Sequence, residues 1–265
     1  MSTLLLRFAA PLQSWGLDKF ERRGTSRIPT KSAVIGMAMA ALGMKRNEEI
    51  PQELLSLRFG VRCDDEGVII RDYHTVKTIK DYTSRIVNTF EAGKDKLFVT
   101  IKTEIDYDGD TYETTRYYLC DAVFLIGLEG DKGYLEKLEY AFNNPVYPIY
   151  LGRKSCPPEG RVVLGIRNLT LEQALKQEKW LLPQWRQEQR MKNKDCVTLR
   201  LVFDADVNDT GYYVEDMPVS FDFRHRRHST RKVKEPPPLV LIKKSPEDHD
   251  AYATAKEEGY VSFQD

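Results

Sequence analysis

The sequence predicts an α+β fold of the ferredoxin or RRM type, with a long β-hairpin arm. Three observations predict it. Apolar strand-like runs alternate with amphipathic helices in the order strand, helix, paired strands, second helix, strands. The two segments flanking Asp108-Gly109-Asp110 alternate polar and apolar residues, the signature of a hairpin. That hairpin is too polar to be core on both faces, so it reads as an arm leaving the body.

The elements follow in order. Leu4–Ala9 is a largely apolar strand, broken by Pro11–Gly16. A basic loop, Lys19–Pro29, leads to Thr30 and Ser32, either of which caps a helix over Ser32–Leu42 that stops at Gly43. That helix is apolar on most faces and belongs in a core. Glu48–Leu57 is a short helix with Pro51 in its first turn. Phe59–Cys63 and Val68–Tyr73 are strands around the turn Asp64–Gly67, and Leu97–Tyr107 pairs with Thr111–Leu119. Ala122–Leu128 is a buried strand, and Tyr134–Phe142 a helix with Leu135, Leu138 and Phe142 on one side. Pro148–Pro158 is a loop, Leu171–Trp180 an amphipathic helix and Val197–Phe203 a strand. Val219–Val240 runs from strand into a basic run and a triple proline.

Length and composition bound the rest. At 265 residues the chain makes one large domain or two small ones, and 41% hydrophobic with 30% charged residues fits a water-soluble globular class. No apolar run approaches the ~18 residues of a membrane span or the length of a signal-peptide core, which predicts a cytoplasmic protein. Cys63, Cys120, Cys156 and Cys196 are far apart and form no C-x-x-C pair, so free thiols and no zinc site are expected. Net charge is zero, yet the charge is sorted along the chain. Lys19 to Arg46 holds seven Lys/Arg and one acid, and Arg224 to Lys234 holds six Lys/Arg and none. Local density is what phosphates feel, so two basic patches are expected despite the balanced total.

Three constellations carry chemistry. The first is Gln13, Ser14, Trp15, Arg22, Arg23, Arg27, Thr30, Lys31 and Ser32. Its cations neutralise phosphates, an exposed Trp stacks on a base, and a helix start offers N–H donors. The alternative is a solvated loop around a core Trp. The second is Gly152, Arg153, Lys154 and Ser155, where glycine permits close backbone approach beside two cations. Its spacing is not that of a Walker A motif, and an ordinary turn is the alternative. The third is Tyr73, His74, Lys77 and Tyr82 with Arg85. These could cleave RNA without metal, His74 as acid/base and Lys77 stabilising charge, or could simply grip it. His225 and His228 extend a positive surface rather than ligate metal, because no third ligand is near in sequence.

Six segments in order, LLLRFAAPLQSWG, RIPTKSAVIGMAMAALG, VRCD, RDYHTV, YLCDA and YLGRKSCPP, resemble the fifth-type CRISPR-associated RAMP family, in the form of the CasD subunits of type I-E Cascade. The resemblance spans about residues 3 to 165, with a weaker echo near 224–234. It implies an RRM-like RAMP body over 1–74 and 119–240, a thumb hairpin over 75–118 and a C-terminal extension over 241–265. It implies a non-catalytic subunit, without cofactor or metal, that holds the 5′ handle of the CRISPR RNA (crRNA). Its implied partners are the backbone subunit through the thumb, the large subunit, and target DNA passing nearby. The handle maps onto Gln13, Ser14, Trp15, Arg22, Arg27, Thr30, Lys31, Ser32, Tyr73, His74, Lys77, Arg116, Gly152, Arg153 and Lys154. A catalytic reading, in which the chain itself trims the repeat RNA, stays open at this point. The sequence departs from the family pattern over Phe90–Thr114 and from about Pro236 onward.

Overall fold

The computed structural model describes residues 1–16, 22–77, 111–222 and 224–242. Its elements, in chain order, are β1 (Ser2–Ala9), β2 (Leu12–Gln13), β3 (Arg22–Arg23), α1 (Lys31–Ala41), α2 (Gln52–Ser56), β4 (Arg58–Asp65), β5 (Val68–Lys77), β6 (Thr111–Cys120), β7 (Val123–Gly130), α3 (Lys132–Asn143), β8 (Val163–Arg167), α4 (Leu171–Gln177), α5 (Gln184–Met191), β9 (Cys196–Asp204), β10 (Tyr212–Ser220), β11 (Arg227–Lys234) and β12 (Leu239–Ile242).

Antiparallel sheet dominates. The large sheet has the order β10-β11-β9-β4-β7-β1-β8, with β12 joined to β9. The central strands β1, β4 and β7 are nearly all buried, because both faces are covered. One face packs under α1 and α3 around Leu4, Leu6, Phe8, Val34, Phe124 and Leu138. The other packs under α4 around Leu5, Leu125, Leu171, Leu175 and Phe203. Alternate residues of one strand thus serve two cores.

Arg62, in β4, is fully buried, and its site explains how α4 ends. Its guanidinium donates to both carboxylate oxygens of Asp64 (2.6 and 2.9 Å). The same group donates to the carbonyls of Leu175, Glu178 and Lys179 (2.7, 2.6 and 2.7 Å). A cation on the open carbonyls of a helix C-terminus satisfies acceptors that would otherwise be orphaned. The chain therefore turns at Glu178, and α5 follows with Pro183 at its N-cap.

The smaller sheet has the order β2-β6-β3, with β5 on β6. Two expectations are corrected here. The strands flanking Asp64–Gly67 do not pair with each other: β4 stays in the large sheet while β5 crosses to the small one. The crossing is made at Gly67, whose φ of +65° and 2.3 Å clearance from Cys120 O at a Cβ position both demand glycine. Thr111–Cys120 pairs with Val68–Lys77 over its full length; the expected partner strand Leu97–Tyr107 lies outside the described residues, with Tyr82, Arg85 and most of the expected arm. The single amphipathic helix expected over Leu171–Trp180 is instead α4, and α5 is a further helix beyond it.

Candidate nucleic-acid interface

Backbone hydrogen bonds bring the first two sequence constellations together. Ser14 N donates to Leu151 O (3.1 Å), and Ser26 N to Trp15 O (3.3 Å). The 151–156 loop closes on itself through Leu151 N to Cys156 O and Cys156 N to Arg153 O. Gly152 is where these segments touch. A Cβ there would sit 1.6 Å from Ser14 O, and its φ is +97°. Only glycine permits that approach.

Arg153 locks the assembly. Its guanidinium donates to Tyr117 O (3.1 Å) on β6 and to the carbonyls of Arg23 (3.0 Å) and Gly24 (3.3 Å). It lies over the Tyr118 ring, 4.6 Å from the centroid. Burial pushes the Tyr118 phenol up, but hydrogen bonds with Ser155, Arg153 and Arg116 outweigh it and leave the group below its ordinary value. The small sheet adds to this patch. In β3, Arg22 aligns with Thr115 and Arg23 with Arg116, so Arg23 and Arg116 stand side by side on adjacent strands. Arg23, Arg27, Gly152 and Lys154 are exposed, and Arg116 and Arg153 half-buried.

Several expected contacts are elsewhere. Trp15 is 1% exposed and stacked on Phe8 with ring centroids 5.6 Å apart. Its indole N–H donates to Gln13 Oε1 (3.2 Å), and Gln13 Nε2 donates to Ala122 O (2.6 Å). Gln13, Ser14 and Trp15 are therefore scaffold, and the exposed, base-stacking Trp is corrected to a core one.

The helix start is also occupied from within. Thr30 caps α1 by accepting from Ala33 N, and its hydroxyl lies 3.3 Å from that of Ser32. Lys31 N donates to Asp216 Oδ2 (2.8 Å), where an external anion was expected. Lys31 Nζ pairs with Asp204 (2.8 Å), and Arg231 spans Asp204 and Asp216. Thr30, Lys31 and Ser32 are buried, so their charges and hydroxyls face inward. The basic run near 224–234 is reduced in the same way: besides Arg231, Lys234 pairs with Asp209 (2.7 Å).

The third constellation lies along β5. Tyr73 and His74 are consecutive in a strand and project to opposite faces, so they do not converge on one bond. On one face Arg71 lies 5.9 Å from the exposed Tyr73 ring, and a hydrogen bond to Glu113 raises the Tyr73 phenol. On the other, His74 Nε2 is 3.4 Å from Asp72 Oδ1, and Asp72 is in register with Arg116. Lys77 ends β5, opposite Thr111. Sequence reasoning missed Arg71, whose signal was its alternation with Tyr73.

Among the described residues no group of three or more His, Cys, Asp and Glu is arranged to hold a metal. All four cysteines are free, and burial pushes the thiols of Cys63, Cys120 and Cys156 up, away from nucleophilic thiolate. No described helix is long and apolar enough to cross a membrane.

Comparison with known proteins places this geometry. The family model for CRISPR-associated protein (Cas_Cas5) matches residues 3–234. The chain is 35% identical over 182 residues to the CRISPR system Cascade subunit CasD of Escherichia coli (strain K12), covering 62% of this chain and 70% of that protein. A crystal structure of a Cas protein matches with a TM-score of 0.61 at 34% identity, over 91% of this chain and 95% of that one. A chain of a CRISPR RNA-guided surveillance complex matches with a TM-score of 0.66 at 28% identity, over 96% and 98%. A family model that spans most of the chain and every segment gathered around Arg153 decides the matter: the chain belongs to the Cas5 family of CRISPR-associated proteins.

Proposed function

We propose that the chain is a non-catalytic subunit of a type I-E Cascade surveillance complex and caps the 5′ handle of the crRNA. The observation that carries this reading is the convergence of the PLQSWG, GTSRIPTKS and YLGRKS segments with β6 around Arg153, which leaves Arg23, Arg27, Arg116 and Lys154 on one basic surface. Exposed guanidinium and ammonium groups neutralise phosphates. Similarity to a CasD subunit and to a chain of a surveillance complex supports membership in such an assembly.

The body is read as ferredoxin-like: β1, α1, β4, β7, α3 and β8 follow in that chain order, with the sheet order β4-β7-β1-β8. Residues 1–74 and 119–240 form the RNA-binding body, 75–118 the thumb that reaches the backbone subunit, and 241–265 an extension. The large subunit and target DNA pack alongside. The non-catalytic reading rests on the opposed side chains of Tyr73 and His74 and on the relatives' role.

Substituting Arg27, Arg116 and Lys154 together with Ala tests the site. The expected outcome is a purified complex with reduced RNA content and a 5′ end open to nuclease, with the salt slope of RNA binding lowered by about 0.7 per lost contact. Normal RNA content with an unchanged footprint would sink the assignment. Incubation of the isolated chain with a repeat hairpin checks catalysis: cleavage that disappears in His74→Ala would establish the endoribonuclease reading instead.

A further inference from the structure

A cavity of about 1190 Å³ opens on the α4–α5 side of the large sheet and shares no lining residue with the basic surface described above. Its walls are Arg7 on β1, the chain entering β8, and the segment from Lys179 through α5 to Lys194. Seven basic side chains line it against three carboxylates. One of those, Asp65, is already neutralised by Arg186 and Arg190. Arg161, Lys179, Lys192 and Lys194 are exposed and lack an ion-pair partner among the described residues, so the groove carries a surplus of positive charge.

Trp185, on the rim, is the second observation. It is 65% exposed on a helix that buries none of its residues. Folding accounts for it poorly: a Trp left mostly exposed keeps on the order of a hundred square ångströms of surface in water. Trp180 differs. It is half-buried, and its indole N–H donates to Asp64 O (3.1 Å). The free ring therefore stands beside free cations in a concave surface. Cations along a groove track phosphates, and an exposed ring stacks on any base regardless of sequence. An acidic peptide would use the cations and have no use for the ring.

We propose that the α5 groove is a second nucleic-acid channel that takes a single polynucleotide strand, phosphates on Arg161, Lys192 and Lys194 and one base on Trp185. It does not depend on the handle reading, because the two surfaces use different residues.

The test uses the full chain carrying Arg27→Ala, Arg116→Ala and Lys154→Ala, which weakens the first surface, and every comparison is made within that background. Fluorescently labelled oligo-dU and oligo-U of about 12 nucleotides, within the usual site sizes of single-strand binders, are titrated against it at several salt concentrations. Trp185→Ala is expected to weaken binding about 10-fold, the effect of one lost stacking contact. Arg161→Ala, Lys192→Ala and Lys194→Ala together are expected to lower the slope of log K against log salt by about 2, three contacts at about 0.7 each. All four positions are exposed, and a thermal melt confirms the fold. Tighter binding of one oligonucleotide identifies the sugar, and either supports the channel. Affinity and salt slope unchanged in both variants would overturn it. Displacement by polyglutamate at equal charge, with Trp185→Ala silent, would also overturn it and assign the groove to an acidic protein.

Discussion

The guanidinium of Arg153 lies 4.6 Å from the ring centroid of Tyr118 while it donates to three backbone carbonyls on two other segments. A phosphate ligand must have donors to spare, and this side chain has few. Arg153 is a positioning residue that holds the 23–24 and 151–156 loops against β6. Arg153→Ala is expected to lower stability by about 2 kcal/mol, the scale of hydrogen bonds to a charged group, and to reduce RNA retention with it. Arg153→Lys should rescue little, because a point charge cannot reproduce the planar fork. Thermal melts beside the absorbance ratio of the purified complex read both effects.

Gly152→Ala is a backbone test of the same junction. The new Cβ would meet Ser14 O at 1.6 Å in a left-handed conformation that L side chains rarely adopt. Separation of the loop from Ser14 follows, with a stability loss of about 2 kcal/mol or more. A melting temperature equal to that of the parent protein would contradict the geometry.

Lys31 distinguishes a binding role from a structural one. Asp204 accepts from Lys31 Nζ, from Phe59 N and from Arg231. Lys31→Ala leaves that half-buried carboxylate with one partner fewer and is expected to cost about 2 kcal/mol. The RNA bound per folded molecule should not change. Arg27→Ala should show the reverse, with parental stability and weaker RNA binding, as seen in denaturant unfolding beside RNA titration.

Docking of α5 is expected to weaken in acid. Burial pushes the Asp65 carboxyl up, but hydrogen bonds from Arg190 and Gly67 N, with the charges of Arg190 and Arg186, hold it below its ordinary value. A depressed folded-state pKa contributes stability above the unfolded value of about 3.9, and that stability is lost as pH falls through the folded value. Proteolytic nicking between Leu182 and Lys194 is therefore expected to rise steeply below about pH 4. Asp65→Asn should be nicked more readily at neutral pH and show a flatter dependence.

Much of the body was legible in the sequence. Leu4–Ala9, the helix before Gly43, Ala122–Leu128 and Tyr134–Phe142 carry strong apolar patterns and form within a few residues of expectation. Strand partners were not legible, because alternation specifies which face is buried and not what lies beside it. β2 and β3 are two residues each, below any periodicity, and α5 is so polar that no apolar stripe announces it. At the site, the motifs marked the right places but not the right exposures. A Trp among cations reads as a stacking surface until Phe8 is known to lie beneath it. A Lys in a basic run reads as a phosphate ligand until Asp204, far along the chain, is brought against it.

The junction of the 13–16 and 151–156 segments is held by main-chain bonds, a glycine contact and a buried indole. The exposed side chains of Arg27, Lys154 and Ser155 play no part in those bonds. Architecture and the proposed recognition are thereby separable: on the handle-binding reading, the outward residues could be exchanged as a set, as letters on a fixed printing block, to retune which polynucleotide end is accepted without re-engineering the fold that presents them.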